Sequence, residues 1–158
     1  MATDKILTFE LSDERETQAL AASLAKLVNN GEQLALTGDL GTGKTVFARA
    51  FIRTLCGSDV EVPSPTFTLL QVYDAEDGRE LFHFDLYRLE HSLDALELNI
   101  DDAFANGISL IEWPERLGSL LPHDHLELAL SYGVVESHRQ AMITAGDSWY
   151  RRLQEISL

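Results

Sequence analysis

The run Gly38-Asp39-Leu40-Gly41-Thr42-Gly43-Lys44-Thr45 constrains this chain more than any other feature. It satisfies G-x-x-x-x-G-K-[ST] and carries a third glycine at Gly41. Glycines let a backbone turn its N–H groups toward an anion without interference from Cβ. A helix opening near Lys44 adds the positive end of its dipole. Lys44 is then placed to reach the β- and γ-phosphates of a nucleotide, and the Thr45 hydroxyl to ligate Mg2+. With Gly at about 7% of residues, the four fixed positions arise by chance in roughly 0.5% of chains this long. The flanks lower that figure further. Gln33–Thr37 is a short, mostly apolar run of the kind that makes a buried parallel strand, and it leads straight into the loop. Beyond it, Phe47, Ala50, Phe51 and Thr54 recur at helical spacing, predicting a helix over Thr45–Cys56 ended by Gly57. Phosphate contacts are expected from Gly38, Asp39, Leu40, Gly41, Thr42, Gly43, Lys44, Thr45 and Val46.

The rest of the chain reads as α/β around that strand–loop–helix unit. Lys5–Leu11 predicts a strand, with Ser12 and Asp13 as rival caps of the next helix. Asp13 followed by Glu16 has capping-box spacing. Leu20, Leu24, Leu27 and Val28 mark that helix, and Gly31 supplies its stop. VPSPTF (Val62–Phe67) is a stiff loop, because each proline restricts itself and the residue before it. Thr68–Tyr73 and Glu80–Tyr87 predict two strands joined through the turn pair Asp77-Gly78. Leu93–Phe104 reads as weakly helical, Ile108–Ile111 as a buried strand and Pro114–Leu121 as a short helix or turn. Leu126–Tyr132 and Gln140–Ala145 predict a final hairpin, and Trp149–Ile156 a closing helix. No linker rich in Gly, Ser or Pro interrupts the 158 residues, so one domain over 1–158 is expected. The fold class is a sheet of parallel core strands with added antiparallel strands, flanked by helices.

Charge excludes other functions. With 26 acidic against 12 basic residues the formal net charge is −14, the wrong sign for a chain that grips phosphate backbones or lipid headgroups alone. An acidic chain must hold a polyanionic nucleotide by a local device, here the amide-lined loop and Lys44. The one cysteine, Cys56, forbids an intramolecular disulfide or a cysteine metal cluster. The start, MATDKILTFEL, lacks a basic leader followed by an apolar stretch of about 7–15 residues, so no secretory signal is expected. No segment reaches the roughly 18 apolar residues that cross a bilayer. These readings point to a soluble, cytoplasmic protein.

A nucleotide phosphate site also needs a carboxylate at the end of a neighbouring strand, to hold Mg2+ or to orient water. Glu112 stands where the apolar run ISLI stops, before Trp113-Pro114. Its side chain either contacts the metal shell or acts as the base. In HFDLYR (His83–Arg88), strand alternation puts His83, Asp85 and Tyr87 on one face and Phe84 and Leu86 on the other. That polar face reads as a wet surface or a site, not as core. As a site, Asp85 aligns or deprotonates water near the γ-phosphate, while His83 and Arg88 support it. Thr66, in the connection after the phosphate-loop helix, sits where a threonine of other nucleotide switches closes on Mg2+. His123-x-His125 has metal-ligand spacing but no third ligand, and reads as a solvated turn.

Taken in order, GDLGTGKT, the VPSPTF loop, HFDLYR and LIEW make the chain resemble the TsaE (YjeE) family, over about Leu7 to Ala145. The resemblance implies ATP/ADP and Mg2+ as ligands and slow ATP hydrolysis. It also implies work beside the TsaB–TsaD pair, which modifies an adenosine of the tRNA anticodon loop to threonylcarbamoyladenosine. The family ATPase is expected to reset that assembly, not to perform the transfer. By motif match Lys44, Asp85 and Glu112 become the catalytic residues, with Thr45 and Glu112 on the metal. Leu11, Thr66, Trp113 and Arg139 are further nucleotide-contact candidates. Neither direct tRNA binding nor membrane attachment is expected. Two alternatives keep the phosphate loop: a small-metabolite kinase, and a nucleotide-gated assembly module without significant turnover. The chain contains neither N-K-x-D nor D-x-x-G, which speaks against a GTPase.

Overall fold

The strand that feeds the glycine loop lies at the middle of a seven-stranded sheet in the computed structural model, which describes residues 4–65 and 67–156. This strand is β2 (Gln33–Thr37); β1 is Lys5–Leu11, β3 Leu70–Asp74 and β4 Glu80–Asp85. Then follow β5 (Ile108–Glu112), β6 (Leu126–Tyr132) and β7 (Arg139–Ala145). The order across the sheet is β1-β7-β6-β2-β5-β4-β3. Strands β6, β2, β5 and β4 are mutually parallel, while β1, β7 and β3 join antiparallel. Parallel strands demand cover on both faces. Helices α1 (Glu14–Leu27), α2 (Lys44–Cys56) and α4 (Asp147–Leu153) cover one face, and α3 (Ile100–Asn106) covers part of the other.

Alternation along each strand sorts its side chains between two cores. Leu81 of β4 and Ile108 and Leu110 of β5 join Leu20, Leu24, Phe47 and Phe51 beneath α1 and α2. Phe84 and Ile111 face the opposite way, with Ile100, Ala103 and Leu117. Helix α2 buries Phe47, Ala48, Phe51, Ile52 and Leu55, a stripe rotated from the expected one: Ala50 and Thr54 are only half-buried. Each large apolar side chain so buried contributes about 1.5–3 kcal/mol relative to exposure. This anchors the helix whose first turn closes the phosphate loop.

Several boundaries differ from expectation for local reasons. Asp13 is the cap of α1: its carboxylate accepts from Glu16 N at 3.1 Å, while Glu16 Oε1 accepts from Ser12 N at 3.1 Å. The helix stops at Leu27, before Gly31, which serves the turn into β2 with φ 85°. Strand β3 starts at Leu70 because Thr68 and Leu69 both fold back onto the Pro65 carbonyl, with Leu69 at φ 66°. Strand β4 ends at Asp85, not Tyr87, because Asp85 Oδ1 accepts from Tyr87 N at 3.2 Å and turns the chain out of the sheet. The region 93–104 is two elements, a 3-10 segment Ser92–Leu98 and then α3, broken at Asn99 with φ 56°. A second 3-10 segment, Pro114–Leu120, contains a kink at Gly118. The hairpin gains Arg139 as its first β7 residue. Helix α4 begins at Asp147, ahead of the expected start, and ends at Leu153.

The Cys56 thiol is pushed up to about 11 by burial and by the nearby carboxylates of Asp74, Asp77 and Glu76, so it is a protonated, poor nucleophile at neutral pH. Among the described residues no helix is long and apolar enough to cross a membrane.

Candidate nucleotide-binding site

The carboxyl ends of β2, β4 and β5 meet at one cleft of about 510 Å³. Open parallel sheets place their ligand sites at such ends. Leu40 through Val46 line it, together with Asp85, Glu112 and Trp113 from the neighbouring strand ends. Gly38 and Asp39 form the back of the loop and do not face the cleft. A Cβ on Gly38 would meet the Leu130 carbonyl at 2.6 Å and Thr42 Oγ1 at 2.7 Å, and its φ is 144°. Only glycine fits there, so the loop sits directly on β6.

Helix α2 opens on Gly43, which has φ 106° and lends no side-chain cap. Its first turn contains no acid, and its leading N–H groups face the loop. A helix end left in this state is a ready anion site. Lys44 is 7% exposed and holds Nζ 4.1 Å from the centroid of the Trp113 ring. Trp113 adopts a left-handed backbone, φ 58° and ψ 50°, just before Pro114. Its ring also contacts Tyr87, with centroids 4.9 Å apart. The indole therefore shelters the lysine while leaving its charge at the cleft.

Asp85 and Glu112 are register partners across the parallel β4–β5 pair. That register places both carboxylates at the mouth of the sheet, 6% and 7% exposed. His83 lies two residues before Asp85 on the same face, and its Nε2 donates to Glu112 Oε2 at 2.8 Å. The face expected to be a wet surface or a site is thus sealed from solvent at His83, which is 2% exposed. Buried polar groups need partners. The carboxylate supplies one for Nε2, while Nδ1 has none among the described residues. Beneath the cleft a second, small cavity is bordered by Thr45, His83, Ser64 and Glu112; Asp85 borders only the cleft.

Other expected residues divide. Arg139 lines the cleft. Leu11 does not: it is 1% exposed in the core at the end of β1. The residues that reach the cleft from that corner are Asp13, Glu14 and Thr17 at the start of α1. Thr66 lies outside the described residues. Arg88 stacks over Phe67, 4.4 Å from its centroid, and is not among the cleft residues. Asp13, Glu14, Thr17, Ser64, Tyr87 and Ser137 line the cleft without having been expected there. For Tyr87 the signal was present in the HFDLYR run, whereas the α1 residues read only as capping and helix positions.

The donors fit a nucleotide polyphosphate with its cation. The loop and the uncapped helix offer N–H groups, Lys44 a charge, and Thr45 and Glu112 hard oxygen donors suited to Mg2+. Among the described residues no cluster of three or more His, Cys, Asp or Glu forms a cation cage. A Mg2+ held by one or two side chains and substrate phosphates needs none.

Comparison with known proteins bears on the same segments. Residues 11–141 match the family model described as threonylcarbamoyl adenosine biosynthesis protein TsaE. A tRNA threonylcarbamoyladenosine biosynthesis protein TsaE of Rickettsia conorii is 40% identical over 120 residues, 76% of this chain and 68% of that protein. The protein of the same name from Bacillus subtilis is 34% identical over 155 residues, 97% of this chain and 95% of the relative. A crystal structure of Bacillus subtilis YdiB superposes with a TM-score of 0.77 at 29% identity, covering 98% of this chain and 95% of that one. The architecture is thus an α/β fold of the P-loop NTPase type.

Proposed function

The chain belongs to the TsaE family of tRNA threonylcarbamoyladenosine biosynthesis, and on that premise we propose that it is a Mg2+-dependent ATPase serving the TsaB–TsaD pair. The observation that carries this reading is the pairing of Asp85 with Glu112 at the strand ends facing the phosphate loop. Phosphate binding alone needs the loop and Lys44; two buried carboxylates opposite them serve chemistry at the γ-phosphate. Their placement favours ATP hydrolysis over a module that only binds.

In this account the loop amides and the α2 terminus take the phosphates, with Lys44 moving from the Trp113 face to the β/γ-oxygens. Thr45 and Glu112 hold Mg2+, supported by the second cavity that they share and by the His83 bond that fixes Glu112 Oε2. The ion, when bound, neutralises charge on the phosphate oxygens and helps orient them. Asp85 orients the attacking water and accepts its proton. The net reaction is ATP plus water to ADP plus phosphate. Asp13, Glu14, Thr17 and Ser137 form the remaining wall, where the nucleoside lies. A cytoplasmic location follows from the tRNA substrate of the pathway.

Reconstitution tests the role. With TsaB, TsaD, tRNA and the threonylcarbamoyl donor, repeated rounds of modification are expected with ATP and this protein. With a non-hydrolysable ATP analogue, modification is expected to stop after about one round per assembly. Equal multi-round yield with both nucleotides would leave only the binding-module reading.

A further inference from the structure

A phosphate loop that aims its N–H groups inward turns its carbonyls outward, where protein donors can fix the loop's backbone. Asp39 O accepts from Thr42 N at 3.3 Å and from Thr42 Oγ1 at 2.8 Å, within the loop. The next two carbonyls are served from elsewhere: Leu40 O by the Tyr132 hydroxyl, and Gly41 O by Arg139 Nη2 at 3.2 Å. Tyr132 and Arg139 are the last register pair of the β6–β7 hairpin. The Arg139 guanidinium stacks on Tyr132, 4.9 Å from its centroid, and its Nη1 is held by the carbonyls of Glu136 and His138.

This arm of the loop has little other support. Leu40 is 80% exposed, and Asp39 and Gly41 are exposed as well. A glycine-rich arm without packing samples many backbone states, most of which aim amides away from the ligand. We propose that Tyr132 and Arg139 are positioning residues that clamp the outer arm of the phosphate loop by two successive carbonyls. They act through the loop backbone, so their effect falls on the polyphosphate and not on the nucleoside. The inference rests on the nucleotide reading above and extends it to a residue, Tyr132, outside the motif and outside the cleft wall.

The test uses the full chain with two probes, a fluorescent N-methylanthraniloyl ATP and inorganic tripolyphosphate as its competitor. Tyr132→Phe keeps the ring and its stacking and loses only the hydroxyl. Arg139→Lys keeps the charge and loses the fork. Each is expected to weaken both probes about three- to tenfold, the range for one lost hydrogen bond. Thermal melts verify that each variant is folded, and either one alone suffices for the comparison. Wild-type affinity for both probes in a folded variant would overturn the clamp. So would a loss confined to the fluorescent nucleotide, which would place these residues at the nucleoside. Lys44→Ala is the reference. If it keeps binding, the nucleotide reading fails; if it alone loses binding, only the clamp fails.

Discussion

Lys44→Ala is expected to raise the dissociation constant for ATP by at least about 100-fold, on the order of 3 kcal/mol. The chain carries a net charge of −14, so ATP approaches against the overall field and relies on local positive groups. Lys44 is the cationic side chain in the loop, and it is buried to 7% exposure where screening is weak. The same variant has a spectroscopic signature. In the wild type Lys44 Nζ lies 4.1 Å from the Trp113 centroid, and on the proposed reading nucleotide phosphates draw it off the ring. Titration with ATP is therefore expected to change Trp113 emission above the constant background of Trp149, which is 3% exposed in the core. Lys44→Ala should show no such change. Near-normal ATP affinity in the variant would remove the phosphate loop from the account.

Asp85→Asn is the second large effect. Water orientation and proton acceptance contribute about 10²–10⁴-fold, so turnover should fall by that factor while ATP affinity stays within about threefold. Asparagine preserves the volume of a side chain that is 6% exposed, and its amide oxygen can still accept from Tyr87 N. Glu112→Gln provides the contrast. Its turnover should also fall, but raising Mg2+ should restore part of it, because on the proposed reading the lost group would hold the metal. Mg2+ rescue of Asp85→Asn and none for Glu112→Gln would exchange the two roles. Unchanged turnover in Asp85→Asn would return Asp85 to a structural role, as the residue that ends β4.

What could be read from the chain alone follows the range of the interactions concerned. The β2–loop–α2 unit was legible because an apolar run, spaced glycines and a helical stripe are all local. Glu112 was legible as a strand-end acid for the same reason, whereas Asp85 was legible only as part of a polar face in a strand expected to run on to Tyr87. Their register was not, since it depends on β4 lying beside β5, a tertiary choice no local pattern states. The face holding His83 left two readings open, a wet surface or a site, and only the partner that satisfies His83, Glu112 across the sheet, distinguishes them. Leu11 fell out because β1 turns that side chain into the core. Asp13 read only as a cap because capping is its local role; its place on the cleft wall depends on where α1 meets the loop. Tyr132 carried no signal at all, as its hydroxyl reaches a carbonyl 92 positions away.

The fate of the γ-phosphate separates hydrolysis from transfer to an acceptor. ATP labelled at that phosphate is incubated with the protein and Mg2+, alone, with TsaB–TsaD, and with a panel of small hydroxyl-bearing acceptors. The label is expected as inorganic phosphate, released slowly with the protein alone and faster with TsaB–TsaD. Asp85→Asn is expected to suppress that release. Label recovered on a small acceptor would make the protein a kinase and contradict the account.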